Sequence, residues 1–539
     1  MTDRASILES RHRQTLAQVL RTRAQRHGDK AWIVSDRRRF TYGEMDRLSD
    51  CLARGFAGLG IAAGETVLIM LPNGVDIVLA WCALAKLGAV EVPVNTHLRG
   101  AVLAHVINNS AATTLVVSPQ YCERLRSLGD RLLKLERLVV VAGADSDGTA
   151  SWPADLETVA FESLFLDGDR PLPEGPRYRD LMAVMYTSGT TGPSKGVMIT
   201  LAHAYEYALS VIELLEMTGE DVYYAPLPLF HIAGQWAGVY ACCIMGATIV
   251  VPEVFSLGGF WDEVKRHKAT CTFLLGAMAN FLYAQPPRDD DADTPLERAL
   301  LVPLLPETED FKARFGCRVS TTWGSTEVNV PMRSGFELAN NRTCGRLADD
   351  RYEVRIVDED DRELPRGVPG EAVVRAREPW ILMAGYWNDP AATALAWRNL
   401  WLHSGDMLMR DAAGNFYFVD RTKDAIRRRG ENISSLEVEQ EINAHPGVLE
   451  SAVIPVASEH SEQEVMAVVV PQPGARLDPA ELIEFVAPRM AYFMVPRYIE
   501  LGAELPKTQT GKIQKFALRA RGLSETTWDR EAAGIKLDK

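Results

Sequence analysis

Short apolar runs recur along the first third of the chain, at 66–71, 90–94, 114–117, 138–141 and 181–185. Runs of that length, bounded by polar and turn-forming residues, read as buried strands. Between the first two, residues 76–87 are apolar nearly all round, which predicts a helix buried on every side. Residues 201–215 predict another helix. Strands alternating with helices imply a mainly parallel sheet covered on both faces. Ahead of these, residues 15–60 read as helix, strand, turn and helix, and Thr41 stands three positions before Glu44, the spacing of a hydroxyl–carboxylate helix cap. Residues 286–295, rich in Pro and Asp, read as a surface loop. Beyond residue 345 the pattern shortens: 353–357, 371–375 and 415–419 read as strands of a small β-subdomain. The expected fold class is α/β, with a large N-terminal domain over 1–422 built from several subdomains and parallel-rich sheets. A small α+β domain over 423–522 follows, then a polar tail over 523–539.

At 539 residues the chain is too long for one hydrophobic core, which agrees with two or more domains. A composition of 47% hydrophobic and 24% charged residues gives no sign of long disordered stretches. The net charge of −14 argues against general nucleic-acid binding, and any site for an anionic ligand must be locally basic. The eight cysteines make no Cys-x-x-Cys pair, so they are expected as small buried hydrophobes in a reducing cytosol, and a cytoplasmic location follows. The first fourteen residues lack the apolar region of a signal peptide. No uncharged apolar stretch reaches bilayer length, so no membrane insertion is expected.

One stretch changes the picture from architecture to chemistry. After the apolar run 181–185 come Tyr186-Thr187-Ser188-Gly189-Thr190-Thr191-Gly192-Pro193-Ser194-Lys195-Gly196-Val197. Glycines let a backbone turn tightly and approach a ligand closely. Successive N–H groups and hydroxyls form a nest for phosphate oxygens, and Lys195 adds a point charge. The Walker spacing is absent, since no Gly-Lys-Ser/Thr follows the first glycine at the required distance.

These twelve residues resemble the phosphate loop of the adenylate-forming superfamily: acyl-CoA synthetases, peptide-synthetase adenylation domains and luciferases. The resemblance covers about residues 15–520 and implies that Thr187, Ser188, Gly189, Thr190, Thr191, Gly192 and Lys195 hold the phosphates of ATP. Trp323-Gly324-Ser325-Thr326-Glu327 is similar to the second signature. It implies Trp323 and Gly324 at the adenine, Thr326 at the α-phosphate, and Glu327 as a hard oxygen ligand for Mg²⁺. Trp401-Leu402-His403-Ser404-Gly405-Asp406 resembles the motif whose aspartate takes the ribose hydroxyls, and Arg421 matches the arginine that contacts ribose and phosphate. Lys423 matches the hinge about which the small domain moves. Gly430, in Arg427-Arg428-Arg429-Gly430-Glu431-Asn432, matches the glycine bordering the channel for the pantetheine arm of coenzyme A. Arg427 and Arg428 are expected to meet the CoA phosphates and Arg429 to narrow the channel, unless the three form a solvated face. Leu505-Pro506-Lys507-Thr508-Gln509-Thr510-Gly511-Lys512-Ile513-Gln514-Lys515 resembles the C-terminal signature, which makes Lys512 the adenylating lysine.

The acid itself is less legible. A histidine among apolar neighbours, as His231 is, reads by residue type as a core group. By resemblance it stands between acyl pocket and thiol channel. Peptide-synthetase domains commonly hold there the aspartate that pairs with an amino group, so His231 argues against an α-amino acid. Gln235, Trp236, Leu275, Gly276 and Met332 are expected as pocket lining by position, or as ordinary core. Residues 300–306 lack the glycine of the usual adenine wall. The carnitine/crotonobetaine-CoA ligase subgroup also lacks it and is the nearest match, although no counter-charge for a quaternary ammonium is evident. The resemblance implies an AMP-forming acyl-CoA synthetase that uses ATP, Mg²⁺ and coenzyme A, with Lys512, Thr326, Glu327 and His231 at the chemistry. Alternatives are a free-standing adenylating enzyme that loads an acyl-carrier protein, a luciferase-like oxidase and a non-catalytic AMP-binding protein.

Overall fold

A computed structural model describes residues 14–35, 38–142, 152–153, 155–168, 171–187, 194–421, 425–458, 462–506, 513 and 515–537. The expected alternation of strands and helices builds two sheets. One has eight strands, in the order Gly385–Tyr386, Lys195–Thr200, Leu181–Thr187, Val90–Pro93, Thr66–Met70, Thr114–Val117, Arg137–Val140 and Glu157–Ala160. Lys195–Thr200 is antiparallel to both its neighbours, and all the other pairings are parallel. The other has seven strands and is parallel from Arg318–Ser320 across to Ala31–Val34, with Arg39–Thr41 antiparallel at its edge. The helix predicted at 76–87 is Val75–Leu87; every residue of it except Asp76 is buried, as its all-round apolar pattern requires. The cap at Thr41 forms in both directions: Glu44 N–H donates to the Thr41 hydroxyl at 3.2 Å, and Thr41 N–H to the Glu44 carboxylate at 2.7 Å.

A third, seven-stranded antiparallel sheet carries the short strands expected after residue 345, and it begins earlier, at Thr322–Ser325. Antiparallel strands can join by tight turns, so this sheet needs no intervening helices. The small domain has the hairpin Ala425–Arg428/Glu431–Ser434 and a four-stranded sheet flanked by helices Ser435–Asn443, Pro479–Val486 and Lys515–Arg521. The segment read as a polar tail supplies that sheet's edge strand, Trp528–Asp529, which pairs with Tyr498–Leu501; Ile535 and Leu537 pack on the domain's core. Three apolar side chains at wide spacing carry no periodic signal, which is why the sequence hid them.

Candidate functional site

The site lies where the ends of the three large-domain sheets meet the small domain. Strand Leu181–Thr187 ends at Thr187, and the antiparallel return strand sets Lys195 directly across from it. The edge strand pairs Tyr386 with Val197, which brings the Tyr386 ring under Lys195, with Nζ 4.9 Å from the ring centre. A cation over an aromatic face is held without a counter-carboxylate, so its charge stays available. Glu327 enters from the turn after Thr322–Ser325. Its carboxylate accepts from Ser325 Oγ at 3.0 Å, Tyr386 OH at 3.4 Å and Thr187 Oγ1 at 3.5 Å. Burial, and then the Glu327 carboxylate, push the Tyr386 phenol above its ordinary range, so Tyr386 acts as a neutral donor. Thus Thr187, Lys195, Glu327 and Tyr386 form one cluster of a cation, a hard carboxylate and hydroxyls. Tyr386 was not foreseen; its only local signal is an aromatic residue directly after Gly385 in a short segment.

Beside this cluster, Trp323 Nε1 donates to Asp406 Oδ2 at 3.0 Å, and both residues are nearly buried. The bond fixes the indole plane against the carboxylate. Asp406 also pairs in register with Arg421 across the antiparallel sheet. Thr326 is buried to 6% exposure, while Gly324 is open.

The residues expected to line the acid pocket divide into two groups. His231 and Leu275 border open space. The His231 ring caps the following helical turn, with Nδ1 accepting from Ala233 N at 3.3 Å. The ring meets the cleft yet has protein close on its other sides; that burial, with Arg427 nearby, takes its pKa down to about 4. It is therefore neutral at neutral pH. Gly276 opens the next helix, and a Cβ there would come 2.9 Å from the Pro303 carbonyl. Gln235 and Trp236, in contrast, lie in the core. They start a π-helical turn, Gln235–Tyr240, a local widening often found at functional sites. Gln235 Nε2 donates to the buried Glu91 at 3.1 Å, and Trp236 packs edge-on to His203 and Tyr207. Met332 is fully buried opposite Trp323. Burial pushes the Glu91 carboxyl up to about 8.

The small domain docks on this end. Gly430 sits at φ +82°, and a Cβ there would overlap the Leu275 side chain. His97 stacks edge-on with Phe230 of its own domain and with Tyr492 of the small one. Ser194 Oγ donates to Glu437 at 2.6 Å, across the same junction. The arginines before Gly430 differ from the expectation. Arg428 is 2% exposed, paired with Glu464 at 2.6 Å and bonded to the carbonyls of Phe493 and Val495, so it holds the domain together and is not open to a CoA phosphate. Arg427 faces Glu462 at 3.8 Å, and the exposed Arg429 lies 3.8 Å from Glu531. A run of like charges gives no hint of which member folds inward; the partner Glu464 is over thirty positions away. Ser188, Gly189, Thr190, Thr191, Gly192, Lys423 and Lys512 lie outside the described residues, as does the Arg421 side chain.

Residues 20–387 match the family described as AMP-binding enzyme, and residues 437–512 match the AMP-binding enzyme C-terminal domain. The chain is 32% identical over 522 residues to crotonobetaine/carnitine–CoA ligases of Salmonella enteritidis and Salmonella typhimurium, covering 94% of this chain and 99% of each relative. The fold is that of o-succinylbenzoate CoA synthetase from Bacillus subtilis, with a TM-score of 0.80 at 24% identity over 94% of this chain and 99% of that one. It is also similar to a fatty acyl CoA synthetase of Mycobacterium tuberculosis, with a TM-score of 0.66 at 26% identity over 94% and 98% of the two chains.

Proposed function

The chain belongs to the AMP-binding enzyme family, and from that premise we propose an AMP-forming acyl-CoA synthetase. A carboxylic acid attacks the α-phosphorus of ATP, giving acyl-AMP and pyrophosphate; the thiol of coenzyme A then takes the acyl group and AMP leaves. The observation that carries the reading is the formation of three local arrangements. These are the cluster Thr187, Lys195, Glu327 and Tyr386, the Trp323–Asp406 pair, and Gly430 of the small domain against Leu275. They suit phosphates, a nucleoside and an acyl–thiol junction respectively.

Positioning and electrostatics supply the catalysis. Lys195 and the Thr187 hydroxyl stabilise charge on the departing phosphates. Thr326 donates to the α-phosphate. Asp406 accepts from the ribose hydroxyls, and the indole face meets the adenine. His231, neutral, stands at the reacting carboxyl without adding charge. Glu327 is a hard oxygen donor that hydroxyls hold in place, which fits a Mg²⁺ ligand; the ion, when bound, neutralises phosphate charge. Lys512, from the C-terminal signature, serves the first step and leaves before the second.

The named relatives favour coenzyme A as acceptor over a carrier protein. Among the described residues no helix is long and apolar enough to cross a membrane. The test is pyrophosphate exchange into ATP with a panel of acids, followed by thioester formation with coenzyme A. Exchange with at least one acid, and thioester from the same acid, is expected. Binding of AMP with no exchange for any acid would return the chain to a non-catalytic binder.

A further inference from the structure

The strand that carries Asp406 breaks its ladder at that residue. Strand Gly370–Ala376 sets Glu371 opposite Met407, and the pairing resumes with Val373 opposite His403. Ala372 alone therefore faces Ser404, Gly405 and Asp406, which form a bulge. Gly405 stands at φ +74°, a left-handed conformation that suits glycine. Side chains hold the bulged peptides. Glu371 Oε1 accepts from the Gly405 N–H at 3.0 Å. Ser404 Oγ donates to the Ala372 carbonyl at 2.6 Å and accepts from the Asp406 N–H at 3.1 Å. The other oxygen of Glu371 meets His403 Nδ1 at 2.9 Å and Arg398 Nη2 at 3.0 Å. Asp361 faces the same two side chains from the far side, 3.5 Å from Arg398 and 3.7 Å from His403 Nε2. Burial alone would raise the Glu371 carboxyl, but His403, Gly405 and Arg398 outweigh it and hold the carboxyl below its ordinary range. Glu371 is therefore charged at neutral pH.

We propose that Glu371 is a positioning residue for the nucleotide: its carboxylate holds the Gly405 peptide so that Asp406 meets the ribose hydroxyls, and selectivity for the ribose depends on it. The inference rests on the reading above, in which Asp406 accepts from those hydroxyls. Asp406 is constrained twice. Trp323 holds its carboxylate at 3.0 Å, and the bulge sets its backbone. Hydrogen bonds weaken steeply with distance and angle, so a loosened bulge costs the ribose contacts first. The anchor at Glu371 is stiff for two reasons. Its bond to the Gly405 N–H is assisted by charge, and Arg398 and His403 fix the orientation of the carboxylate. Glu371 makes none of the ribose contacts itself and acts through Gly405.

The probes are MgATP and its 2′,3′-dideoxy analogue, titrated into the full-length protein in a calorimeter with no acid present. The readout is the ratio of the two affinities, and the stoichiometry of each titration counts the folded protein. The wild type should prefer ATP by about 10²-fold or more, the worth of two hydrogen bonds to a charged acceptor. In Glu371→Ala the preference should fall to about ten-fold or less, through weaker binding of ATP, while binding of the analogue hardly changes. Glu371→Gln still offers an oxygen to the Gly405 N–H and should keep most of the preference. Ser404→Ala, which loosens the bulge from its other side, should lower the preference as well, and it carries the test if Glu371→Ala does not fold. Equal losses for both nucleotides would mean that these contacts serve the fold alone, and would overturn the inference while leaving the proposed function standing. So would a Glu371→Gln variant as unselective as Glu371→Ala. A wild type that binds both nucleotides equally would remove the ribose from Asp406 and overturn that part of the proposed function together with the inference.

Discussion

The two ends of the cleft are built on opposite plans. At the end proposed to take phosphates, Glu327 accepts from three hydroxyls at 3.0–3.5 Å and Lys195 rests on an aromatic face, so polar groups are held loosely and remain partly open. Behind the acyl end, Glu91, Gln235, Trp236 and His203 are buried at 1% exposure or less, packed among aromatic rings. Groups that serve a ligand keep capacity in reserve, whereas groups that serve the fold spend it on neighbours. The contrast predicts that mutations at the two ends fail in different currencies, activity at one and stability at the other.

Trp236→Ala should show the largest effect, a loss of about 3–5 kcal/mol in unfolding free energy, as expected for a deleted core indole. Denaturant unfolding measures it; a near-native midpoint would mean that the ring lines open space after all. Glu327→Gln is the mirror case. Acid-dependent pyrophosphate exchange should fall by roughly 10²–10³, the usual cost of one well-placed electrostatic group, with the unfolding midpoint almost unchanged. A variant that unfolds instead would erase the distinction between the two ends.

Glu91 sharpens the contrast through pH. Its carboxyl is raised by burial from 4.5 to about 8, so between those values the folded state holds a proton that the unfolded chain has lost. Stability from this group is therefore full below about pH 4.5, falls as pH climbs towards about 8, and is flat beyond. Glu91→Gln should flatten that slope in melts taken across the range, and an unchanged slope would show that Glu91 does not cause it. The smallest effect is expected for Tyr386→Phe. It removes one of three donors to Glu327 but keeps the ring under Lys195, so exchange should drop by about two- to ten-fold, the worth of one hydrogen bond. A loss as great as that of Glu327→Gln would mean that the phenol has a larger part than holding the carboxylate.

How much of this could be read in advance follows the same division. The cap at Thr41, the buried helix at 75–87 and the strand leading into Thr187 depend on neighbours a few positions apart, so their pattern is local and visible. Of the motif residues, Thr187, Lys195 and Glu327 are brought together by the fold, and each belongs to a stretch of particular local composition. Tyr386 was hidden, since it reaches Glu327 and Lys195 only through a sheet edge formed by distant strands. Arg428 looked like its two neighbours until Glu464 claimed it. Gln235 and Trp236 follow the exposed His231 by four and five positions, and they begin a widened helical turn whose residues are all buried. The meeting of Ser194 with Glu437 joins residues 243 positions apart, and no window of sequence contains it.

Leu275 is touched from two directions: it borders open space, and it bears on Gly430; under the proposed function that space takes the acid and the Gly430 turn borders the path of the thiol. On that proposal one branched side chain is shared by two substrates. Anyone redesigning this protein for a new acid would turn first to position 275, and would be altering the fit of the acceptor arm in the same stroke. Selectivity and turnover are coupled variables at that point of the molecule. A library varied there alone will trace a trade-off curve, whereas varying 275 together with the residues that set the height of the 430 turn gives evolution, or an engineer, a second axis along which to leave it.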